Sequence, residues 1–282
     1  MDNIKSVAWL PVVAWFMLGF YLPGIEQFLL KVGAEWSWYW WDLSYFYYGY
    51  FILFIAILIA SERGPIAWTS LFQGKMTSKN LKFGIILTIF CFVFSIGTAY
   101  LLFYPLSFAA PAFVSYWYLS PSEIIYYDGD TYPLIANLLS LIALVVLPSI
   151  LEEFAFRGVM LKCWSKKWGF WKATLVSSSI FAILHPDPIG AFGFGVAMCY
   201  LYARFNTLLI PIICHALNNF FVWVWELVDT GIYGPEDIYT LLDFQNSWFL
   251  GLIALVISIA WAKRYWSSES VRQHLKSMRY PT

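Results

Sequence analysis

Residues 134–158 read LIANLLSLIALVVLPSILEEFAFRG, a long apolar run that ends in a group of charges. Residues 134–150 carry no charge, whereas the next eight bring two adjacent carboxylates, Glu152 and Glu153, and the guanidinium of Arg157. Roughly 20 apolar residues are enough to cross the ~30 Å hydrocarbon core of a bilayer as a helix. The stretch therefore predicts a transmembrane helix with three charged side chains in or close to the membrane.

The composition of the whole chain agrees with a membrane protein. Of 282 residues, 61% are hydrophobic and 12% are charged, which is about half the charge of a soluble domain. The sequence predicts an all-α polytopic protein of the cell membrane, a bundle of about eight transmembrane helices forming a single domain over residues 1–282. The eight apolar runs lie at about 7–23, 45–60, 81–104, 138–161, 168–185, 189–205, 207–228 and 247–264.

The distribution of basic residues predicts the orientation. With eight spans, 15 of the 17 Lys and Arg residues lie on the side of the N-terminus, Lys31 lies on the other side, and Arg157 lies inside a span. Basic residues concentrate in cytoplasmic loops, so both termini are predicted to be cytoplasmic. The net charge of zero gives no sign of nucleic acid as a partner.

Two stretches are interpreted as loops, and the cysteines as structural residues. The aromatic residues 36–50 are interpreted as a loop forming a belt at the level of the lipid headgroups, and residues 105–133 as the longest outer loop. The four cysteines form no C-x-x-C pair and are interpreted as packing residues. The basic C-terminal tail, which includes His274, is expected to be solvated.

Polar residues within the apolar runs are few and clustered. An ionisable side chain at mid-bilayer costs at least about 2.5–3.5 kcal/mol, so such residues generally pair, line a wet cavity or carry out chemistry. All the candidates fall between residues 152 and 219, which predicts a catalytic core at about 138–228. They are Glu152, Glu153, Arg157, His185, His215, Asn218 and Asn219.

Helical geometry assigns different partners to the two carboxylates. Glu153 and Arg157 are four residues apart, so they share a face and are expected to form an ion pair. Glu152 is rotated by about 100° from Glu153. One carboxylate is then bound by the guanidinium, and the other remains for a different partner.

The same spacing recurs on two further spans. His215 and Asn219 share one face of the seventh span, and Phe181 and His185 share one face of the fifth. Pro186 ends the fifth helix just after His185, and the three polar faces are expected to converge. A count at about 1.5 Å per residue nevertheless places His185 a turn or two farther from the cytoplasmic face than Glu152.

These side chains suit hydrolysis by an activated water. A carboxylate beside a neutral imidazole can deprotonate water, and a second histidine with a carboxamide can stabilise an oxyanion. Glu152, His185 and His215 are also a plausible zinc-binding set, and the spacing leaves both possibilities open. The chain has no H-E-x-x-H and no G-x-S-x-G, and no aspartyl pair lies within a span.

Three motifs resemble those of a known family. Glu152-Glu153-x-x-x-Arg157, Phe181-x-x-x-His185 and His215-x-x-x-Asn219 are similar to E-E-x-x-x-R, F-x-x-x-H and H-x-x-x-N of the CPBP intramembrane proteases. That family comprises type II CAAX prenyl endopeptidases and bacteriocin-processing or self-immunity proteins, once called Abi. The resemblance covers residues 145–225.

The resemblance implies a role for each residue. Glu152 would be the general base with His185 as its partner, His215 and Asn219 would form the oxyanion site, and Glu153 and Arg157, with Phe181, would support them. It implies a glutamate-type protease without a required metal, with zinc as the alternative. The substrate would be a prenylated CAAX-type tail or a peptide or bacteriocin precursor, and the partners would be membrane lipid and that substrate.

Two other classes of function remain open from the sequence. The chain could be a non-proteolytic transporter or immunity protein whose polar cluster lines a permeation path. Alternatively, His185 and His215 could be axial ligands of a membrane haem.

Overall fold

The computed structural model describes residues 3–20, 38–63, 67–119, 124–127, 129–234 and 239–266. Within these ranges the chain forms ten helices and no strand. A single antiparallel bridge joins Phe72 to Thr207, and a 3-10 turn spans Trp68–Leu71. The helices are α1 (Asn3–Ala14, continued by a π-helical turn at Trp15–Phe20), α2 (Trp38–Arg63), α3 (Ser78–Ala109), α4 (Pro111–Trp117), α5 (Leu134–Trp168), α6 (Phe170–Ile183), α7 (Pro188–Phe205), α8 (Leu209–Tyr233), α9 (Leu241–Asn246) and α10 (Trp248–Trp266).

Each of the eight predicted apolar runs coincides with one helix. Among the described residues, five helices are long and apolar enough to cross a membrane: Tyr39–Arg63, Ser78–Ala109, Leu134–Trp168, Leu209–Ile232 and Trp248–Tyr265. Ala8–Gly19 and Phe170–Ile183 are apolar but shorter. The predicted all-α, multi-pass membrane architecture is confirmed, whereas the number of eight spans and the cytoplasmic termini stay predictions.

One predicted loop is helical in its described part, and a second is helical over its first third. The aromatic stretch 36–50 belongs to α2 from Trp38 onward; its first two residues lie outside the described part. Much of the proposed outer loop 105–133 is also helical, because α3 continues to Ala109 and α4 follows at once. Aromatic residues are only moderate helix formers, and packing decides here: the Tyr39 ring lies 5.6 Å from that of Tyr126.

Helix α5 widens on both sides of the two glutamates. Ile142–Val146 and Phe154–Leu161 are π-helical, and the α-helical turn Leu147–Glu153 lies between them. Such widened turns are frequently found at functional sites. Pro148, inside this turn, has no N–H to offer the carbonyl of Leu144, so that carbonyl is open to a partner from another helix.

Helices α6 and α7 form a short hairpin directed at the middle of α3. Helix α6 has 14 residues, about 21 Å, which is less than the ~30 Å of a bilayer core. The turn after it bonds to Ser95, which lies near the midpoint of α3. Residues 173–203 contain no Lys or Arg, so the predicted charge asymmetry is unchanged whether this hairpin crosses the membrane or turns within it.

Small residues let α7 pack closely against α6, and let α8 pack closely against α3. A Cβ on Gly195 of α7 would lie 3.0 Å from the Cβ of Ser178 on α6, and one on Gly84 of α3 would lie 2.7 Å from the Sγ of Cys214 on α8. These glycines let the helices approach closely. All four cysteines are free and buried, as expected for packing residues.

Candidate active site

Glu153 is the centre of a buried polar cluster that links α5 to α7 and α8. Its Oε1 accepts hydrogen bonds from Arg157 at 2.8 Å and from Nδ1 of His215 at 2.9 Å, and its side chain is fully buried. Arg157 also donates to the backbone carbonyl of Gly195 at 3.2 Å. The structure therefore contains the predicted Glu153–Arg157 ion pair and adds His215 to it.

Phe181, four residues before His185, contacts the imidazole through both its ring and its backbone carbonyl. Its ring lies 4.2 Å from the imidazole and nearly parallel to it, and its carbonyl contacts His185 Nδ1 at 2.7 Å. The Arg157 guanidinium lies 4.9 Å from the centre of the same ring. Since a carbonyl can only accept, Nδ1 of His185 carries the proton, and Nε2 of the neutral ring is left as the acceptor.

The turn that carries His185 is attached to three helices. Helix α6 ends at Ile183, in agreement with the prolines that follow, and Asp187 caps α7 by accepting from the backbone N–H of Gly190 at 3.1 Å. The same carboxylate accepts from the hydroxyl of Ser95 on α3. Trp117 on α4 donates from Nε1 to the carbonyl of Pro186 at 3.2 Å. The position of His185 relative to the other helices is thus fixed by contacts with α3, α4 and α7.

Glu152 differs from Glu153 in its partners. Its side chain is also buried, and its Oε1 accepts from the Tyr50 hydroxyl at 2.9 Å. Its Oε2 is buried without a hydrogen-bond partner among the described residues. Glu152 and His215 are both electrostatic neighbours of His185, although no direct hydrogen bond joins Glu152 to His185.

Asn219 bonds to the irregular part of α5. Its side-chain N–H donates to the carbonyl of Leu144 at 2.9 Å, which is the acceptor that Pro148 leaves without its helical donor. The second N–H of the same amide has no protein acceptor in the described part of the chain. Asn218 makes only a long contact, 3.4 Å, with Asn219 Oδ1.

The structure thus brings the predicted residues together in two connected groups. Glu153, Arg157 and His215 share direct bonds, and the Phe181 ring links Arg157 to His185. Glu152 lies on the turn beside them and contacts Tyr50. Within the described residues, no three His, Cys, Asp or Glu side chains converge closely enough to hold a metal ion, so the alternative zinc set of Glu152, His185 and His215 does not fit as it stands.

Sequence reasoning missed three groups that touch these residues. Tyr50 stands in a run of aromatic residues, 45–51, and nothing in that pattern distinguishes it from its neighbours. The carbonyl of Gly195 carries no side-chain signal. The carbonyl of Leu144 could have been found, because a proline four residues later removes its helical donor.

Part of the chain is similar in sequence to known proteins. Residues 134–221 match the family model of type II CAAX prenyl endopeptidase Rce1-like proteins. A protein of Bacillus subtilis (strain 168), YdiL, which is named as a membrane peptidase, is 37% identical over 94 residues, 32% of this chain and 38% of that protein. MroQ of Staphylococcus aureus (strain USA300), named a membrane-embedded CAAX protease, is 36% identical over 94 residues, 30% of this chain and 38% of that protein.

The chain spans only 38% of the length of each of these relatives. No solved structure is significantly similar to the chain. The resemblance drawn from the three motifs is confirmed over the segment that carries them. Residues 134–221 of this multi-pass membrane protein are thus similar to the Rce1-like family of type II CAAX prenyl endopeptidases.

Proposed function

We propose that this protein is an intramembrane endopeptidase that hydrolyses a peptide bond of a membrane-associated substrate. The main support is the contrast between the two buried glutamates. Glu153 is bound by Arg157 and His215, whereas Glu152 has a buried oxygen without a protein partner and lies near His185. One carboxylate organises the site, and the other is free to take a proton.

In this mechanism Glu152 and His185 hold the attacking water between them. The water donates one hydrogen to Oε2 of Glu152 and the other to Nε2 of His185, which is the acceptor nitrogen because Nδ1 donates to Phe181. Glu152 takes a proton as the water oxygen bonds to the substrate carbonyl carbon. The carbon–nitrogen bond then breaks, Glu152 passes its proton to the leaving nitrogen, and a carboxylic acid and an amine are released, which together ionise to a carboxylate and an ammonium.

His215 and Asn219 are proposed to stabilise the oxyanion. Asn219 uses one N–H on Leu144, so its second N–H remains for the substrate oxygen. His215 directs Nδ1 at Glu153, and it can donate from Nε2 only as an imidazolium. That form balances the buried charge, because Arg157 and His215 then offset Glu152 and Glu153.

We propose that the reaction requires no metal, as the candidate ligands do not converge. For the substrate, the family match supports a lipid-modified C-terminal tail, and an unmodified peptide precursor is the alternative. Both classes approach from the membrane, which suits a site assembled from three membrane helices.

The test is cleavage, in lipid nanodiscs, of a fluorogenic CAAX-type peptide in farnesylated and unmodified forms. We expect Glu152→Gln to lower kcat by at least about a thousandfold and a chelator to change it less than about twofold. Glu226→Gln is the matched control, because Glu226 is a half-buried carboxylate on α8 outside the site, and it should cleave normally.

Each result decides one part of the proposal. Normal cleavage by Glu152→Gln removes the mechanism, and failure of the wild-type protein to cleave either peptide favours a non-proteolytic membrane protein. Inhibition by chelator with recovery on zinc addition replaces the metal-free reaction with a zinc-dependent one. Preference between the two peptides identifies the substrate class.

A further inference from the structure

Outside the segment matched to the family, one side chain contacts the proposed base directly. Tyr50 on α2 is buried, and its hydroxyl lies 2.9 Å from Oε1 of Glu152. A carboxylate accepts and a phenol donates, so the Tyr50 proton is directed at Glu152. A hydrogen bond to an ionised acceptor is roughly twice as strong as one between neutral groups.

Tyr50 is itself held in place by α1. Its ring lies 5.5 Å from that of Trp15. The two helices approach closely at this level, because a Cβ on Gly19 would lie 3.4 Å from the Cα of Gly49, the residue before Tyr50. The phenol therefore has little freedom to leave the carboxylate, and little entropy is lost in forming the bond.

The bond also makes the two oxygens of Glu152 different. Oε1 is occupied by Tyr50, and Oε2 has no protein partner in the described part of the chain. With one oxygen fixed, the carboxylate cannot rotate freely, and the other oxygen keeps a constant direction toward the reacting water.

We infer that Tyr50 is a positioning residue for Glu152, which aims Oε2 at the catalytic water. The inference deepens the proposed function and rests on it. Loss of the hydroxyl should free the carboxylate to rotate, so that Oε2 no longer keeps the direction that the reaction needs.

Other ionisable groups around Glu152 are retained when the hydroxyl is removed. His185 faces it from the turn after α6. Glu153 and Arg157 lie on its own helix, and His215 of α8 bonds to Glu153. A change in kcat or in the infrared band of Glu152 in Tyr50→Phe is therefore due to the missing hydroxyl.

The test is Tyr50→Phe, measured by cleavage of the farnesylated peptide and by infrared spectroscopy. We expect kcat to fall at least about tenfold and KM to change less than about twofold. The infrared band of the Glu152 carboxylate, identified by its loss in Glu152→Gln, should shift, because Oε1 loses its hydrogen bond to the phenol.

Tyr47→Phe is the matched control. Tyr47 lies one turn before Tyr50 on α2 and also donates to α5, but to the backbone carbonyl of Leu139 at 3.1 Å. Loss of the Tyr47 hydroxyl should change neither kcat nor the infrared band of Glu152.

An unchanged kcat and an unchanged infrared band of Glu152 in Tyr50→Phe would overturn the inference, even if the protein became less stable. The infrared measurement needs no substrate. Absence of cleavage by the wild-type protein therefore removes the proposed function, while the infrared band still decides whether Tyr50 holds Glu152.

Discussion

Arg157 is a deeply buried charge, with a side chain that is 1% exposed. Its partners are Glu153, the carbonyl of Gly195 and the ring of Phe181. Breaking a buried ion pair by removing one partner costs far more than the pair contributes, because the remaining charge is left without compensation. The same residue can therefore be essential for folding without taking part in the reaction.

This asymmetry predicts how substitutions of the pair combine. Arg157→Met should lower the free energy of unfolding by about 3–5 kcal/mol, since Glu153 keeps only His215. The double variant Glu153→Gln/Arg157→Met removes both charges and should cost less than the two single variants added together. Unfolding in detergent measures all three, with Lys172→Met on the exposed surface as the control.

Strictly additive losses would show that Glu153 and Arg157 do not depend on each other. A free energy of unfolding within about 0.5 kcal/mol of the wild type in Arg157→Met, the range of neutral surface changes, would contradict the pair altogether.

At the residue scale, the sequence predicted what spacing along one helix can show. The Glu153–Arg157 pair and the divergence of Glu152 follow from the 3.6-residue period. The bonds from Tyr50 to Glu152 and from His215 to Glu153 join residues 102 and 62 positions apart. Helical periodicity relates only residues a few positions apart, so these two contacts could not be predicted from the sequence.

At the scale of elements, the α6–α7 turn is the part of the site that depends most on its neighbours. His185 belongs to no helix, and the turn is fixed by Ser95, Trp117 and the cap formed by Asp187. A displacement of about 1 Å in a catalytic group can cost about a hundredfold in rate. The position of His185 is thus set by residues that do not touch the substrate.

Asp187→Ala tests this dependence, because it removes both the cap and the bond to Ser95. We expect it to lower stability by about 1 kcal/mol, as for other cap losses, and to lower kcat by at least about tenfold. Asp187→Asn keeps an amide oxygen for the cap and should retain near wild-type stability.

Thr240→Ala provides the comparison, since Thr240 caps α9 through the backbone N–H of Asp243 away from the site. It should lose similar stability and keep its rate. Equal rates in Asp187→Ala and Thr240→Ala at matched stability would show that the turn does not position His185.

The elements also show where sequence interpretation fails. Apolar length predicted all eight helical runs, because a run that avoids charge has to be helical in a membrane. The aromatic stretch 36–50, from Trp38 onward, and the beginning of 105–133, to Trp117, were wrongly interpreted as loops, because headgroup-level composition does not distinguish a loop from a helix end. The π-helical turns of α5 were not predicted, although Pro148 lies just after the first of them.

At the scale of the whole molecule, the fold brings polar groups from several helices together. Glu152 comes from α5, His185 from the turn after α6, and His215 and Asn219 from α8, while Tyr50 on α2 bonds to Glu152. The predicted orientation, with both termini cytoplasmic, stays a prediction and is the same whether the α6–α7 hairpin crosses the membrane or turns within it.

The most direct measurement of the central claim is a double-mutant cycle of Glu152→Gln, His185→Ala and the combined variant, using cleavage rates at equal folded fraction. Groups that act as a unit are strongly non-additive. We predict that each single variant loses nearly as much activity as the double variant, because either change removes the activated water. Losses that multiply in the double variant, or a His185→Ala variant as active as the wild type, would contradict the account.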